Sequence, residues 1–167
     1  MFQLISAVVI AVLVGADQLF KYFADTMLAN NQVATFIPGV LRFELVYNDA
    51  GMWGFFDGLR PVLSVLTAII SIAGIALIMS KKLKPMFLNV CAIAIVSGGI
   101  GNLIDRVARG YVIDYIDTVF CNFPTYNFAD ILVTCGCFAL IGYELYLTIV
   151  EIKQDRAKKH NGENNNG

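Results

Sequence analysis

The sequence predicts an all-α integral membrane protein with four transmembrane helices, both termini cytoplasmic, and a small β-hairpin on the extracytoplasmic side. Three observations predict it. Of the 167 residues, 57% are apolar and 15% charged, with mean hydropathy +0.68, whereas a soluble domain carries about 25% charged residues. Four runs are uncharged or nearly so: Met1 to Ala16, Pro61 to Ser80, Pro85 to Ile104 and Ile131 to Val150. Lys and Arg gather between the second and third runs and after the fourth.

Each run approaches or reaches the roughly 20 residues that cross a bilayer as a helix, and backbone groups in lipid must bond within their own segment. The first run has no basic leader, and Asp17 with Lys21 continues the helical spacing beyond it. It therefore reads as a retained helix over about 1–23, not as a cleaved signal peptide. Next, Thr35-Phe36-Ile37, Pro38-Gly39 and Leu41 to Tyr47 read as a hairpin. Pro-Gly suits the centre of a type II turn. Arg42 and Glu44 alternate with Leu41, Phe43, Leu45 and Tyr47 at strand period, so the apolar face is expected on the bilayer surface. Gly51 to Phe56, with Trp53, reads as an interfacial segment. The remaining helices are expected over about 61–80, 85–107 and 128–150. Lys81-Lys82-Leu83-Lys84 and the tail with Lys153, Arg156, Lys158 and Lys159 should be cytoplasmic. That leaves segments 24–60 and 107–128 outside. Residues 1–152 form one transmembrane domain, followed by a polar cytoplasmic tail over 153–167. Its last part, Asn161 to Gly167, is low-complexity and expected to be disordered.

Charge and composition remove several functions. Lys+Arg is 12 and Asp+Glu 13, a net charge of −1, so nucleic acid is not an expected partner. Cys91, Cys121, Cys135 and Cys137 include no CxxC pair, and His160 in the tail is the single histidine. Histidine-dependent nucleophiles and His-ligated zinc are therefore set aside. Neither a metal nor a cofactor is expected.

Nine of the 13 acids belong to the outer half: Asp17, Asp25, Glu44, Asp49, Asp57, Asp105, Asp114, Asp117 and Asp130. Ionisable groups at membrane depth are costly and are functional candidates. The densest polar stretch runs from Gly98 through Gly101, Asn102, Asp105 and Arg106 to Gly110 and Asp114. Its glycines allow close helix packing, and Gly110 stops the helix. Asn102 and Arg106 share a helix face. Asp114 then falls on an extended stretch, and Asn127-Phe128-Ala129-Asp130 opens the last helix at the same level. Asp114 and Asp130 can meet there. Two close carboxylates do not both ionise easily, so one is an acid and the other a base.

Plainer readings compete. Asn127 and Asp130 have N-cap and N3 spacing, and on the residues alone this stands level with a catalytic role. Asp17 and Lys21 have the spacing of a structural ion pair. Asp105 and Arg106 read equally as helix-end charges. Asp117 rivals Asp114 for the pair. Glu144 reads as an inner-interface or inter-helix polar residue.

Taken together, the blocks Asp17-Gln18-Leu19-Phe20-Lys21, Asn48-Asp49-Ala50-Gly51-Met52-Trp53, Gly99 to Arg106 with Gly110, Val112 and Asp114, and Asn127-Phe128-Ala129-Asp130 resemble the bacterial lipoprotein signal peptidase (signal peptidase II) family. The resemblance spans about residues 17–130. It implies four membrane helices with a small β-rich cradle on the outer surface of the bacterial cytoplasmic membrane. It implies an aspartic endopeptidase that cuts prolipoproteins before a diacylglyceryl-modified cysteine. Asp114 and Asp130 would be the catalytic pair. Asn102, Arg106 and Asn127 would surround them, and Asp17, Lys21 and Asn48 would support the site or touch substrate. Membrane lipid is the implied surrounding, globomycin the implied inhibitor, and a monomer the expected state. In the Asn48 block the glycine stands later than the family pattern places it, and Met52 and Trp53 are bulky. Two other classes remain on the residues alone. One is a small protein moving protons or ions along its intramembrane acids, and the other is an assembly subunit using its glycines for packing.

Overall fold

The computed structural model describes residues 1–29, 32–49 and 60–164. Its helices are α1 (Phe2–Met27), α2 (Arg60–Met79), α3 (Met86–Ala108) and α4 (Phe128–Asn164), and its strands are β1 (Val33–Ile37), β2 (Leu41–Asn48) and β3 (Val112–Thr118). Among the described residues, α1, α3 and the Phe128–Arg156 part of α4 are long and apolar enough to cross a membrane. The run expected as a further span is helical as α2, over Arg60–Met79.

α3 is the central helix and packs against α1, α2 and α4. In its apolar window 44% of residues are buried, against 11% in α1 and 6% in α4. Packing at this depth requires small side chains. A Cβ on Gly98 would meet the Ala129 carbonyl and Val133, and one on Gly101 would meet the Asp17 carboxylate. α3 ends at Ala108, and Gly110 follows with φ +82°, the left-handed conformation that closes helices.

The three strands form an antiparallel sheet in the order β1-β2-β3. The expected hairpin is present. Gly39 has φ +73°, and the Val40 N–H donates to the Ile37 carbonyl at 3.0 Å. The sheet packs on the end of α1 through Ala24, Leu28, Ile113, Tyr115 and Ile116. A second cluster, Ile78, Ile93 and Val96 with Phe2, Ile10 and Leu13 against it, joins α1, α2 and α3. β2 carries an irregularity between Phe43 and Val46. Beyond it Val46 pairs with Asp114 and Asn48 with Val112, which makes Asn48 a diagonal neighbour of Asp114.

Two expectations need correction. α1 runs to Met27, past the expected end near residue 23. α4 stays helical to Asn164, well past 150 and into the segment expected to be disordered. Good helix formers continue there (Glu151, Lys153, Gln154, Arg156), and extending an existing helix costs far less than starting one. The Gly51 to Phe56 segment, with the displaced glycine, Met52 and Trp53, lies outside the described residues.

Candidate active site

The site is assembled from four elements that meet at the C-terminal half of α3. Asp114 projects from β3 and is 2% exposed. Its Oδ2 accepts from Asn48 Nδ2 at 2.8 Å, and its Oδ1 accepts from Asn127 Nδ2 at 2.6 Å. An isolated bridge explains why Asn127 is in reach. Tyr126 pairs with Ile116, its N–H donating at 3.0 Å, and its carbonyl accepts from Tyr115 and Ile116. The residue that follows this bridge is therefore held against β3.

Asn127 caps α4. Its Oδ1 accepts from the Asp130 N–H at 3.0 Å, and Asp130 Oδ2 accepts from the Asn127 N–H at 3.1 Å. This reciprocal pair satisfies two N–H groups that the helix start would leave unbonded. The capping role weighed from the sequence is thus real, and it leaves the other carboxylate oxygen available. Asp130 Oδ1 accepts from Asn102 Nδ2 at 2.8 Å. Asn127 is buried and donates to both carboxylates, to Asp114 through its side-chain amide and to Asp130 through its backbone N–H, so one residue sets their relation.

Amide orientations follow from donor and acceptor logic. Lys21 can only donate. Its Nζ lies 2.9 Å from Asn102 Oδ1, so Asn102 turns its NH2 group toward Asp130. Lys21 is fully buried and pairs with Asp17 at 2.9 Å and Asp105 at 2.8 Å. Asp17 Oδ1 also accepts from the Ala129 N–H at 3.0 Å, and Asp105 Oδ2 accepts from the Ile113 N–H at 3.3 Å. Asp105 further pairs with Arg109, and Gln18 Nε2 donates to both carboxylates and to the Gly101 carbonyl. This cluster ties α1 to the start of α4 and α3 to the start of β3. Lys21 links it through Asn102 to Asp130 and, by way of Asn127, to Asp114.

Burial, and then the negative charge of Asp130, push the Asp114 carboxyl up from 3.8 to about 7. Asp114 is therefore suited to hold a proton near neutral pH.

Arg106 Nη1 donates to the Asn102 carbonyl at 3.4 Å. Its side chain and Asp130 line one cavity of about 250 Å³, walled by Thr67 and Ser71 of α2 and Val133 of α4. A second cavity, about 360 Å³, reaches Asp130 from the other flank of α4 past Tyr126 and Thr134. A larger apolar cavity of about 500 Å³ lies between α1 and the sheet, lined by residues including Phe20, Phe43 and Phe128. Asp130 is thus reachable from two sides while Asp114 is enclosed.

All eight residues singled out from the sequence fall in this region. Asp117, the rival for the pair, lies three residues beyond Asp114 on β3, so it faces the other side of the sheet. It accepts from Arg42 Nε at 2.6 Å across the strands. Of the two readings open for Asp105, a helix-end charge or a functional candidate at membrane depth, the first does not fit: it is fully buried and pairs with Lys21. Gln18 and Arg109 were not singled out at all. A signal for Asp105 existed: it follows Gly98, Gly101 and Asn102 by seven, four and three residues, the spacing of one helix stripe. Among the described residues no group of three or more His, Cys, Asp or Glu is placed to hold a metal ion.

Residues 9–146 match the family model described as signal peptidase (SPase) II. The chain is similar to a lipoprotein signal peptidase of Enterococcus faecalis, 35% identical over 80% of this chain and 83% of that one. It is similar to a lipoprotein signal peptidase of Lactococcus lactis subsp. lactis, 32% identical over 92% of this chain and 99% of that one. A solved bacterial membrane enzyme superposes with TM-score 0.78 at 31% identity, covering 86% of this chain and 88% of that one.

Proposed function

We infer that this chain, which belongs to the signal peptidase II family, removes signal peptides from prolipoproteins, and that it does so as an aspartic endopeptidase with Asp114 and Asp130 as its catalytic pair. The observation that carries the catalytic assignment is Asn127. It bonds to both carboxylates and holds an enclosed aspartate beside one that lines two cavities.

The pair carries one proton near neutral pH, and its place is on Asp114. Asp130, facing the cavities, takes a proton from a water molecule as that water attacks the scissile carbonyl carbon. Asp114, uncovered as the peptide enters beside Asp130, donates its proton to the carbonyl oxygen, giving a neutral gem-diol. The proton held by Asp130 then passes to the leaving nitrogen and the C–N bond breaks. Asp114 recovers its proton from a diol hydroxyl as the carbonyl reforms. Both products leave with the pair in its starting state. Asn102 and Asn48 each donate a hydrogen bond to one carboxylate, and Lys21 keeps Asn102 turned the right way. Arg106 lines the peptide path beside Asp130.

The scissile bond precedes a diacylglyceryl-modified cysteine, whose acyl chains stay in lipid while the signal helix packs along the cavity between α2, α3 and α4. All four helices span the bacterial cytoplasmic membrane. Both termini are cytoplasmic, and the pair lies near the extracytoplasmic face. The enzyme works as a monomer without metal, and globomycin occupies the peptide path. The test is cleavage of a lipidated prolipoprotein peptide by the purified chain in detergent containing EDTA. Cleavage that globomycin blocks, with no cleavage of the unlipidated peptide, is expected. Loss of activity in EDTA, restored by a divalent metal, would overturn the metal-independent mechanism.

A further inference from the structure

At the end of α3 remote from the carboxylate pair, a cavity of about 310 Å³ is lined by Phe2, Lys81, Leu83, Lys84, Met86 and Asn89. Asn89 and Asn102 are separated by about 20 Å at 1.5 Å per residue. Asn89 is 4% exposed, and its Nδ2 donates to the Leu83 carbonyl at 2.8 Å. That bond fixes the amide, so the other atom must be Oδ1. Asn89 Oδ1 has no hydrogen-bond partner among the described residues, and it is the one buried side-chain polar atom there of which this is true. A buried acceptor left unbonded carries a desolvation cost. A ligand that meets it must supply an O–H or N–H.

The same cavity presents Lys81 and Lys84, which can only donate and which attract an anion. No acid occurs in the chain between Asp57 and Asp105, so Lys81, Lys82 and Lys84 have no acidic neighbour in sequence. The remaining walls, Phe2, Leu83 and Met86, are apolar, and Met86, Phe87 and Val90 expose apolar surface beside the cavity. The complementary ligand has an anionic phosphate, a hydroxyl and apolar chains. Basic pockets at the ends of membrane helices suit such headgroups.

We propose that this cavity binds the headgroup of an anionic glycerophospholipid bearing a free hydroxyl, with the phosphate on Lys81 and Lys84 and the hydroxyl donating to Asn89 Oδ1. The site depends on the chain lying in a membrane and not on which residues perform the cleavage.

The test is native mass spectrometry of the full chain in micelles doped with one lipid at a time. The lipids are phosphatidylglycerol, phosphatidylmethanol (the same phosphodiester charge with no hydroxyl) and phosphatidylcholine. Retention in that order is expected. Asn89→Leu should lower phosphatidylglycerol to the level of phosphatidylmethanol, about five- to tenfold for one ordinary hydrogen bond, and leave phosphatidylmethanol unchanged. Lys81→Gln with Lys84→Gln, both at exposed positions, should bring both anionic lipids down to phosphatidylcholine. Peptide cleavage in detergent should be unchanged in the lysine variant, which reports an intact fold. Equal retention of phosphatidylglycerol and phosphatidylmethanol by the unmodified chain would overturn the proposal. So would displacement of the lipid by inorganic phosphate or glycerol phosphate, which would make the site one for a free anion.

Discussion

Asp114 does two opposed things. It is placed for proton transfer, and it is a carboxylate in a buried position where ionisation is costly. Because burial raises its pKa from 3.8 to about 7, the folded protein holds this proton more tightly than the unfolded chain does. Between those values the native state binds the extra proton, so stability falls as pH rises through the window and levels off above it. Asparagine at 114 cannot titrate, although its NH2 would face one of two amide donors and cost a hydrogen bond. The gap in thermal unfolding temperature between the unmodified protein and Asp114→Asn should therefore narrow from pH 4 to pH 8. A gap constant across that range would show that Asp114 does not carry this proton. The same proton sets the alkaline limb of activity: kcat/KM is expected to fall above about pH 7 as the pair loses it, and a rate still rising there would contradict the assignment. Asp114 was legible as a candidate because an acid follows a helix-stopping glycine. What distinguished it from Asp117 was not legible, since strand parity decides which carboxylate faces Asn127 and which faces Arg42.

At the scale of elements, the site depends on how closely α1, α3, α4 and β3 approach. Lys21, with Asp17 and Asp105, holds that junction. Lys21→Met would take the paired cation from buried Asp17 and leave Asp105 with Arg109, so a loss of about 3–5 kcal/mol is expected, the usual cost of breaking a buried pair from one side. Adding Asp17→Asn should recover part of it, because it removes one of the stranded charges. Thermal unfolding in detergent reads both effects, and full stability in Lys21→Met would rule out the junction as the fold's anchor. Gly98→Ala tests the α3–α4 contact. Its methyl group would press on the Ala129 carbonyl, one residue before Asp130. A destabilisation of about 1–3 kcal/mol is expected from such overpacking, together with slower cleavage; cleavage at the unmodified rate would separate this contact from the position of Asp130. The helices were legible because lipid demands long uncharged runs, and the hairpin because Pro38-Gly39 has one good conformation. The pairing of β2 with β3 was not, since it joins residues far apart in sequence with no local signal. The full length of α4 was missed because polarity marks where a helix leaves lipid, not where it stops being a helix.

At the scale of the molecule, polarity is divided between the two ends of α3. Acids and amides gather at Asn102 to Asp114, and lysines at 81–84. If α3 spans the membrane, these groups lie on opposite sides of it. In a Cys121→Ser background, a cysteine at Lys82 should react with a membrane-impermeant thiol reagent only from the cytoplasm. A cysteine at Val119, just past β3 and exposed, should react only from outside. Labelling of both from one face would contradict the proposed topology. The helical membrane architecture stood out in the sequence because it depends on local composition and spacing, and the family through the resemblance of its motif blocks. The buried ion cluster linked to the site depends on which helix faces meet, and only the assembled fold shows that. The account as a whole rests on two carboxylates doing the work of hydrolysis. The most direct measurement is single-turnover cleavage of a lipidated prolipoprotein peptide by the unmodified chain, Asp114→Asn and Asp130→Asn, each shown to be folded by its thermal unfolding. A fall of at least about 10³-fold in both variants is expected when either member of such a pair is lost. Cleavage near the unmodified rate by either folded variant would contradict the account.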